Sequence, residues 1–95
     1  MKKYKVNDGF ILRELVSEHV VVYVGEDESF NGIITLNDTG VIVWNEMVKG
    51  ATKKQMAQAV MQEYEIDENT AIRDAEKVVD LLLNEKVIRE TGFFG

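Results

Sequence analysis

The stretch Ile33-Ile34-Thr35-Leu36-Asn37-Asp38-Thr39-Gly40-Val41-Ile42-Val43-Trp44 decides the fold, because a strand pattern gives way to a helix pattern inside it. Its first four residues are mostly β-branched and predict a short strand over 33–36. Asn37 is a favourable N-cap, and apolar residues then recur at the helical positions 41, 44 and 48. The pattern predicts a helix over 38–49 that stops at Gly50, a residue suited to a left-handed helix end.

Two further strands are predicted upstream of this stretch. Residues 10–15 and 19–24 are rich in aliphatic and β-branched side chains, and the three residues between them make a connection of hairpin length. The two strands should pair antiparallel, and strand 33–36 should complete a three-stranded meander. The segment 25–32 is bounded by glycines and carries three acidic residues, which predicts a loop.

Two more helices are predicted downstream. Thr52 and Gln55 have the spacing of a capping box and open the second helix, whose apolar face is marked by Met56, Val60 and Tyr64. The third helix begins near Asp67, another N-cap candidate, and runs to about residue 85. Met47, Met56 and Met61 fit helical spacing and are predicted to pack in the core, as is Trp44.

The order of these elements predicts the fold class. Three strands followed by three helices, with a short strand over 87–89, is the order of one type of winged helix-turn-helix domain. We therefore expect an α+β fold, with a three-stranded antiparallel sheet followed by three helices, in a single domain over residues 1–95. The short connections between the helices indicate a compact cluster.

Composition excludes several function classes. The chain has 95 residues, no cysteine, one histidine and a net charge of −6. Thiolate metal sites and cysteine nucleophiles are excluded, and no cofactor is expected. No apolar run approaches the ~20 residues needed to span a bilayer, so we expect a cytoplasmic protein without a membrane partner. No catalytic motif is present, which argues against an enzyme.

The charge distribution argues against a nucleic-acid partner. Lys and Arg are scattered, and the third helix carries two basic residues against five acidic ones. Affinity for a phosphate backbone requires clustered basic groups, so the DNA binding that is common among winged helices is disfavoured. An acidic winged-helix regulator that binds another protein, or less readily DNA, remains the alternative function.

One apolar residue of the third helix lies outside its apolar stripe. On a helical wheel, Leu81 falls about 60° beyond the stripe edge at Val78. Its flank is otherwise charged, with Asp74, Lys77 and Glu85. Leu81 is either a boundary residue covered by a neighbouring element or the floor of a shallow groove with charged walls, suited to an extended peptide.

The block Leu36-Asn37-Asp38-Thr39-Gly40, followed by Val43-Trp44, resembles the PqqD-like family. This is the family of pyrroloquinoline quinone synthesis protein D, also described as the RiPP recognition element. Weaker matches follow the same order at Phe10 to Arg13, at Tyr64 to Asp67 and at Asp74. The resemblance runs from about residue 4 to residue 88.

The resemblance implies a non-catalytic winged helix that captures the leader segment of a ribosomally made precursor peptide. The domain presents the leader to a modifying enzyme, frequently a radical S-adenosylmethionine (SAM) enzyme. The leader is expected to add as a strand beside the third strand and to lie against the third helix. The edge strand contributes Ile33, Ile34, Thr35 and Leu36 by position, and Asp74 matches an acidic position of the third helix.

The flank of the third helix around Leu81 adds four residues to this predicted peptide-binding site: Lys77, Val78, Leu81 and Glu85. Because acidic groups predominate in the 25–32 loop and the third helix, the peptide is expected to carry some basic groups. At the C-terminus, Phe93-Phe94 is predicted either to fold back onto the core or to contact a partner chain, which leaves a homodimer open.

Overall fold

Two small antiparallel sheets flank three helices. The structure, a computed structural model, describes residues 1–27, 30 and 32–92. Phe93-Phe94, and with it the predicted contact to a partner chain, lies outside the described residues. The elements in chain order are β1 (Tyr4–Val6), β2 (Phe10–Glu14), β3 (His19–Tyr23), β4 (Ile34–Leu36), α1 (Asp38–Val48), α2 (Lys53–Glu63), α3 (Glu68–Asn84) and β5 (Ile88–Glu90).

The predicted three-stranded meander is confirmed. The strand order is β2-β3-β4, with both neighbouring pairs antiparallel. Phe10 lies opposite Tyr23 and Leu12 opposite Val21, while Val21 in turn lies opposite Ile34. Cross-strand partners point to the same face of a sheet, so these side chains share the face that packs on the helices.

The second sheet pairs the two ends of the described chain. β1 is antiparallel to β5, with Val6 opposite Ile88, and Tyr4 forms a further bridge to Ala51 in the turn between α1 and α2. The short final strand near 87–89 was predicted from the sequence, but β1 was not. Three residues carry almost no periodicity, and the partner strand is more than 80 residues away.

The three predicted helix starts are confirmed. Asn37 Oδ1 accepts a hydrogen bond from the Gly40 N–H at 2.8 Å. At α2, Thr52 and Gln55 form the complete capping box. These side chains satisfy backbone donors that the first helical turn leaves without partners, which fixes where each helix begins.

Asp67 caps α3 and is held in its charged form. Its Oδ1 accepts from the Thr70 N–H at 2.7 Å. This hydrogen bond, with a smaller contribution from nearby Arg73, lowers the pKa of Asp67 below its ordinary value. The cap stabilises the fold above the unfolded-state pKa of aspartate, and the stabilisation is lost as pH falls through the lowered folded-state pKa.

The core lies where the three helices meet. Trp44 and Met47 of α1, Met56 of α2 and Leu82 of α3 are all buried, as predicted for the first three. The prediction is wrong for Met61, which is 37% exposed. Val48 and Tyr64, also placed on apolar stripes, are exposed because α1 and α2 reach their ends there and pass beyond the core.

No helix in the described part of the chain is both long and apolar enough to cross a membrane.

Removing the cap of α1 should destabilise the domain. We expect Asn37→Ala to lower the free energy of unfolding by about 1 kcal/mol, because the Gly40 N–H loses its acceptor. Urea unfolding followed by circular dichroism measures the change. Asn37→Asp keeps an acceptor oxygen and is the control; an equal loss in both variants would contradict the capping role.

Candidate functional site

β4 forms one edge of the three-stranded sheet, and the register shows which of its backbone groups face outward. In the β2-β3 hairpin, the Val24 N–H donates to Gly9 O at 2.7 Å, and the Leu15 N–H donates to Glu18 O at 2.7 Å. Hydrogen-bonded pairs alternate along an antiparallel ladder, so the even-numbered residues of β3 bond to β2 and the odd-numbered ones bond to β4.

The same alternation shows which backbone groups of β4 face β3. His19 and Val21 face Leu36 and Ile34, so the backbone groups of residues 34 and 36 point toward β3. The N–H and C=O of Thr35 therefore point away from the sheet. Ile33, predicted as the first residue of this strand, lies just before β4. Within the described residues no strand covers this side of β4. The edge offers free donors and acceptors to an extended chain.

A cavity of about 600 Å³ lies beside the start of β4. It separates the inner face of the sheet from the C-terminal end of α3. Its walls combine aromatic and aliphatic side chains with polar groups from the helix end. The lining residues are Phe10, Val21, Tyr23, Phe30, Gly32, Ile33, Ile34, Asn84, Glu85, Lys86 and Val87.

Three aromatic rings that contact one another form one wall of this cavity. The Tyr23 ring centroid lies 4.9 Å from that of Phe10 and 4.9 Å from that of Phe30. Phe10 and Phe30 meet edge to face at 5.1 Å. Such contacts contribute beyond simple burial, and they anchor Phe30, from the acidic 25–32 loop, onto the sheet.

Two glycines make room for the Tyr23 ring. A Cβ at Gly25 would stand 2.3 Å from Tyr23 Cζ, and a Cβ at Gly9 would stand 2.5 Å from Tyr23 Cε1. The Tyr23 hydroxyl also accepts from the Asp27 N–H at 3.2 Å. The ring is therefore confined on several sides, and the wall it forms is preorganised.

The predicted edge-strand residues contribute in different ways. Ile33, 64% exposed, and Ile34 both line the cavity. Leu36 is buried in the core, so only its backbone belongs to the edge. The Thr35 side chain lies on the outer face, where its hydroxyl donates to Glu18 at 3.5 Å.

The predicted residues of α3 form a flank that leads to the cavity. Leu81 is 43% exposed, and Val78, one turn earlier, is partly buried against the core. Asp74 is half-buried and Lys77 is exposed. Of the five predicted helix residues, Glu85 lines the cavity together with Ile33 and Ile34, whereas the other four do not line it.

The aromatic wall and Lys86 were not predicted from the sequence. Phe10 and Tyr23 were assigned to strands without a role, and Phe30 was assigned to a solvated loop. A signal was present, since Gly9 and Gly25 flank the two strands at positions where a bulky partner could lie against the backbone.

Within the described part of the chain, no three His, Asp or Glu side chains are placed to hold a metal ion. His19 Nε2 lies 3.6 Å from Glu14 Oε2 at the surface of the hairpin. The cavity beside β4 combines an open strand edge, an apolar wall and a charged rim.

Comparison with known proteins identifies the class of protein that this arrangement belongs to. The family model of coenzyme PQQ synthesis protein D (PqqD) matches residues 18–88. The match covers most of the chain, including β3, β4 and all three helices. The chain belongs to this family.

Two solved structures share the fold. One is TbiB1 in complex with the TbiA(beta) leader peptide, which has 20% sequence identity and a TM-score of 0.72 and covers 94% of this chain and 96% of its own. The other is lasso peptide synthetase B1 complexed with the leader peptide, with 20% identity, a TM-score of 0.73, and coverage of 90% and 96%. A search of curated proteins finds no match. The likeness confirms the α+β fold, with its three-stranded sheet followed by three helices.

Filling the space beside Tyr23 should disrupt the aromatic wall. We expect Gly25→Ala to lower the free energy of unfolding by about 1–3 kcal/mol, because the new methyl group displaces a ring confined by Phe10 and Phe30. Urea unfolding followed by tyrosine fluorescence or near-ultraviolet circular dichroism reports both effects. Glu26→Ala, at the exposed neighbouring position, is the control and should leave both signals unchanged.

Proposed function

We propose that the protein is a non-catalytic adaptor that binds the leader segment of a ribosomally synthesised precursor peptide. The leader adds as a strand to the free edge of β4 and lies against α3. The observation that carries the proposal is the outward-facing backbone of Thr35 beside an aromatic-walled cavity. Membership in the PqqD family and the two leader-peptide complexes of the same fold support it.

Strand addition suits this edge for a physical reason. Each backbone group on the free side of β4 gains a partner when an extended peptide pairs with it, and neighbouring side chains select the sequence. Ordering a flexible leader costs roughly 2–5 kcal/mol, so a few apolar contacts must supply most of the affinity. Ile33, Val78 and Leu81 are the apolar side chains placed to make them, because each is at least partly exposed beside the edge or on the α3 flank.

Charged side chains then select the partner. Asp74 and Glu85 carry negative charge along the α3 flank, and Lys77 is the one basic member of the predicted set. The leader we expect carries some basic groups placed to meet these carboxylates. Interactions of this kind are screened by salt and contribute more to specificity than to affinity.

The adaptor presents the bound leader to a modifying enzyme, for which a radical SAM enzyme is our proposal. Work on a ribosomally made precursor would take place in the cytoplasm. The adaptor itself needs no cofactor for this task, because capture of a strand requires backbone groups and pockets rather than reactive side chains.

Blocking one outward-facing donor should weaken leader binding without unfolding the domain. We expect Thr35→Pro to reduce affinity at least about tenfold, because proline removes the free N–H and obstructs the incoming strand, whereas the β3-β4 hydrogen bonds use residues 34 and 36. Fluorescence anisotropy with a labelled leader measures affinity. Thr35→Val keeps the N–H and should bind like the wild type; wild-type affinity in Thr35→Pro would contradict strand addition at β4.

A charge on the α3 flank should have a similar effect. Leu81→Asp is expected to weaken leader binding about tenfold or more, because it places a carboxylate on an apolar contact surface. Met61→Asp makes a comparable change at a similarly exposed position on α2 and is the matched control. Circular dichroism checks the fold of both; loss of helical signal in Leu81→Asp alone would show that Leu81 is a core residue.

A further inference from the structure

Lys86 adopts a left-handed backbone conformation just beyond the end of α3, with φ of 61°. Among the described residues it is the only one other than glycine with a positive φ. The position is C′ of the helix, where glycine is favoured because a side chain there crowds the following carbonyl. The fold alone would therefore be better served by glycine at residue 86.

The turn does not depend on the lysine side chain. The Val87 N–H donates to Leu82 O at 2.9 Å and the Lys86 N–H donates to Leu83 O at 3.0 Å, the two bonds of a Schellman motif. The Asn7 side-chain amide donates to Lys86 O at 3.0 Å. The two bonds that involve residue 86 use its backbone N–H and C=O, so all three bonds would be equally available with glycine at this position.

Lys86 is exposed and lines the cavity beside β4. It is the only basic residue among the described residues that line the cavity. It forms no ion pair with a carboxylate of the described residues, in contrast to Lys2, Lys49 and Lys53. A cation at a conformationally unfavourable position, at the mouth of the cavity, indicates a role in binding.

We propose that Lys86 is a specificity-determining residue that binds an Asp or Glu carboxylate of the peptide paired with β4. This inference rests on the proposed leader binding. An ammonium group has three donors and no acceptor, so its natural ligand is an anion, and a charge-assisted hydrogen bond at the cavity mouth would fix the register of the peptide. The acidic leader residue would then lie at the Ile33 end of the strand, beside the cavity.

The test compares the stability and the binding of the same variants. Lys86→Gly relieves the strained backbone, so its urea midpoint should rise above that of the wild type. Its affinity for the synthetic leader of a precursor encoded beside this chain should fall about three- to tenfold, as expected for loss of one partly exposed charged contact. Lys86→Asn, which tolerates the left-handed region, should lose the same affinity. Lys54→Gln, on the exposed side of α2, is the charge control and should bind normally.

The peptide side completes a double-mutant cycle. Leader variants with single Asp→Asn or Glu→Gln changes are titrated against the wild type and against Lys86→Gly. One leader variant should bind the wild type about three- to tenfold more weakly than the unchanged leader does, and should bind Lys86→Gly with the same affinity as the unchanged leader. The difference in leader affinity between the wild type and Lys86→Gly should become smaller at high salt.

Each outcome of these measurements supports or overturns the role of Lys86 in binding. A raised urea midpoint with unchanged affinity would overturn the inference and leave the proposed function intact. A lowered midpoint would show that the lysine stem has a packing role, which also overturns it, as would a leader in which no acidic residue couples to Lys86. Absence of leader binding by the wild type would refute the proposed function, and this inference with it.

Discussion

The joint between β4 and α1 is the constraint on which the rest of the structure depends. Gly40 is buried in the first turn of α1, and a Cβ there would stand 3.2 Å from Leu36 Cβ and 3.3 Å from Asn37 Oδ1. A methyl group at residue 40 would crowd Leu36 and Asn37, so glycine lets the helix begin this close to the preceding strand without displacing them. Leu36 is thereby held in the core and Asn37 in its cap, and the direction of β4 relative to the helices is fixed.

This joint also leaves β4 with an open side. Because Leu36 anchors the strand to α1 through its side chain, the outward-facing backbone of Thr35 need not take part in the fold. The edge is short, which limits unwanted pairing between copies, while the nearby cavity and the charged end of α3 restrict what can pair with it. A chain of 95 residues can thus combine a buried core with an open strand edge.

Much of the fold could be predicted from local chemistry. The caps at Asn37, Thr52 and Asp67 mark helix starts because each satisfies a local backbone donor, and such interactions lie within four residues of sequence. The β1-β5 pairing could not be predicted, since it joins segments from opposite ends of the chain. Met61 was placed in the core because its spacing fits the helix, but spacing cannot show where the neighbouring helices end.

The site was predictable to a lesser extent. Ile33, Ile34 and Glu85 were predicted and share the cavity lining, but the aromatic wall is built from Phe10, Tyr23 and Phe30, which are brought together by strand register and loop closure. Those contacts depend on tertiary geometry, as does the left-handed turn at Lys86. The role of the predicted residues in binding remains a prediction that the variants above address.

The β1-β5 sheet has a consequence for how the domain could be joined to other chains. The Thr91 N–H donates to Lys3 O at 2.9 Å, so the polypeptide enters and leaves the domain at the same point. That point lies at the far end of the sheet from the Asn7 and Lys86 contact beside the cavity. The domain could therefore be inserted into a loop of a larger protein, or its ends linked and the chain opened elsewhere, without disturbing the edge of β4.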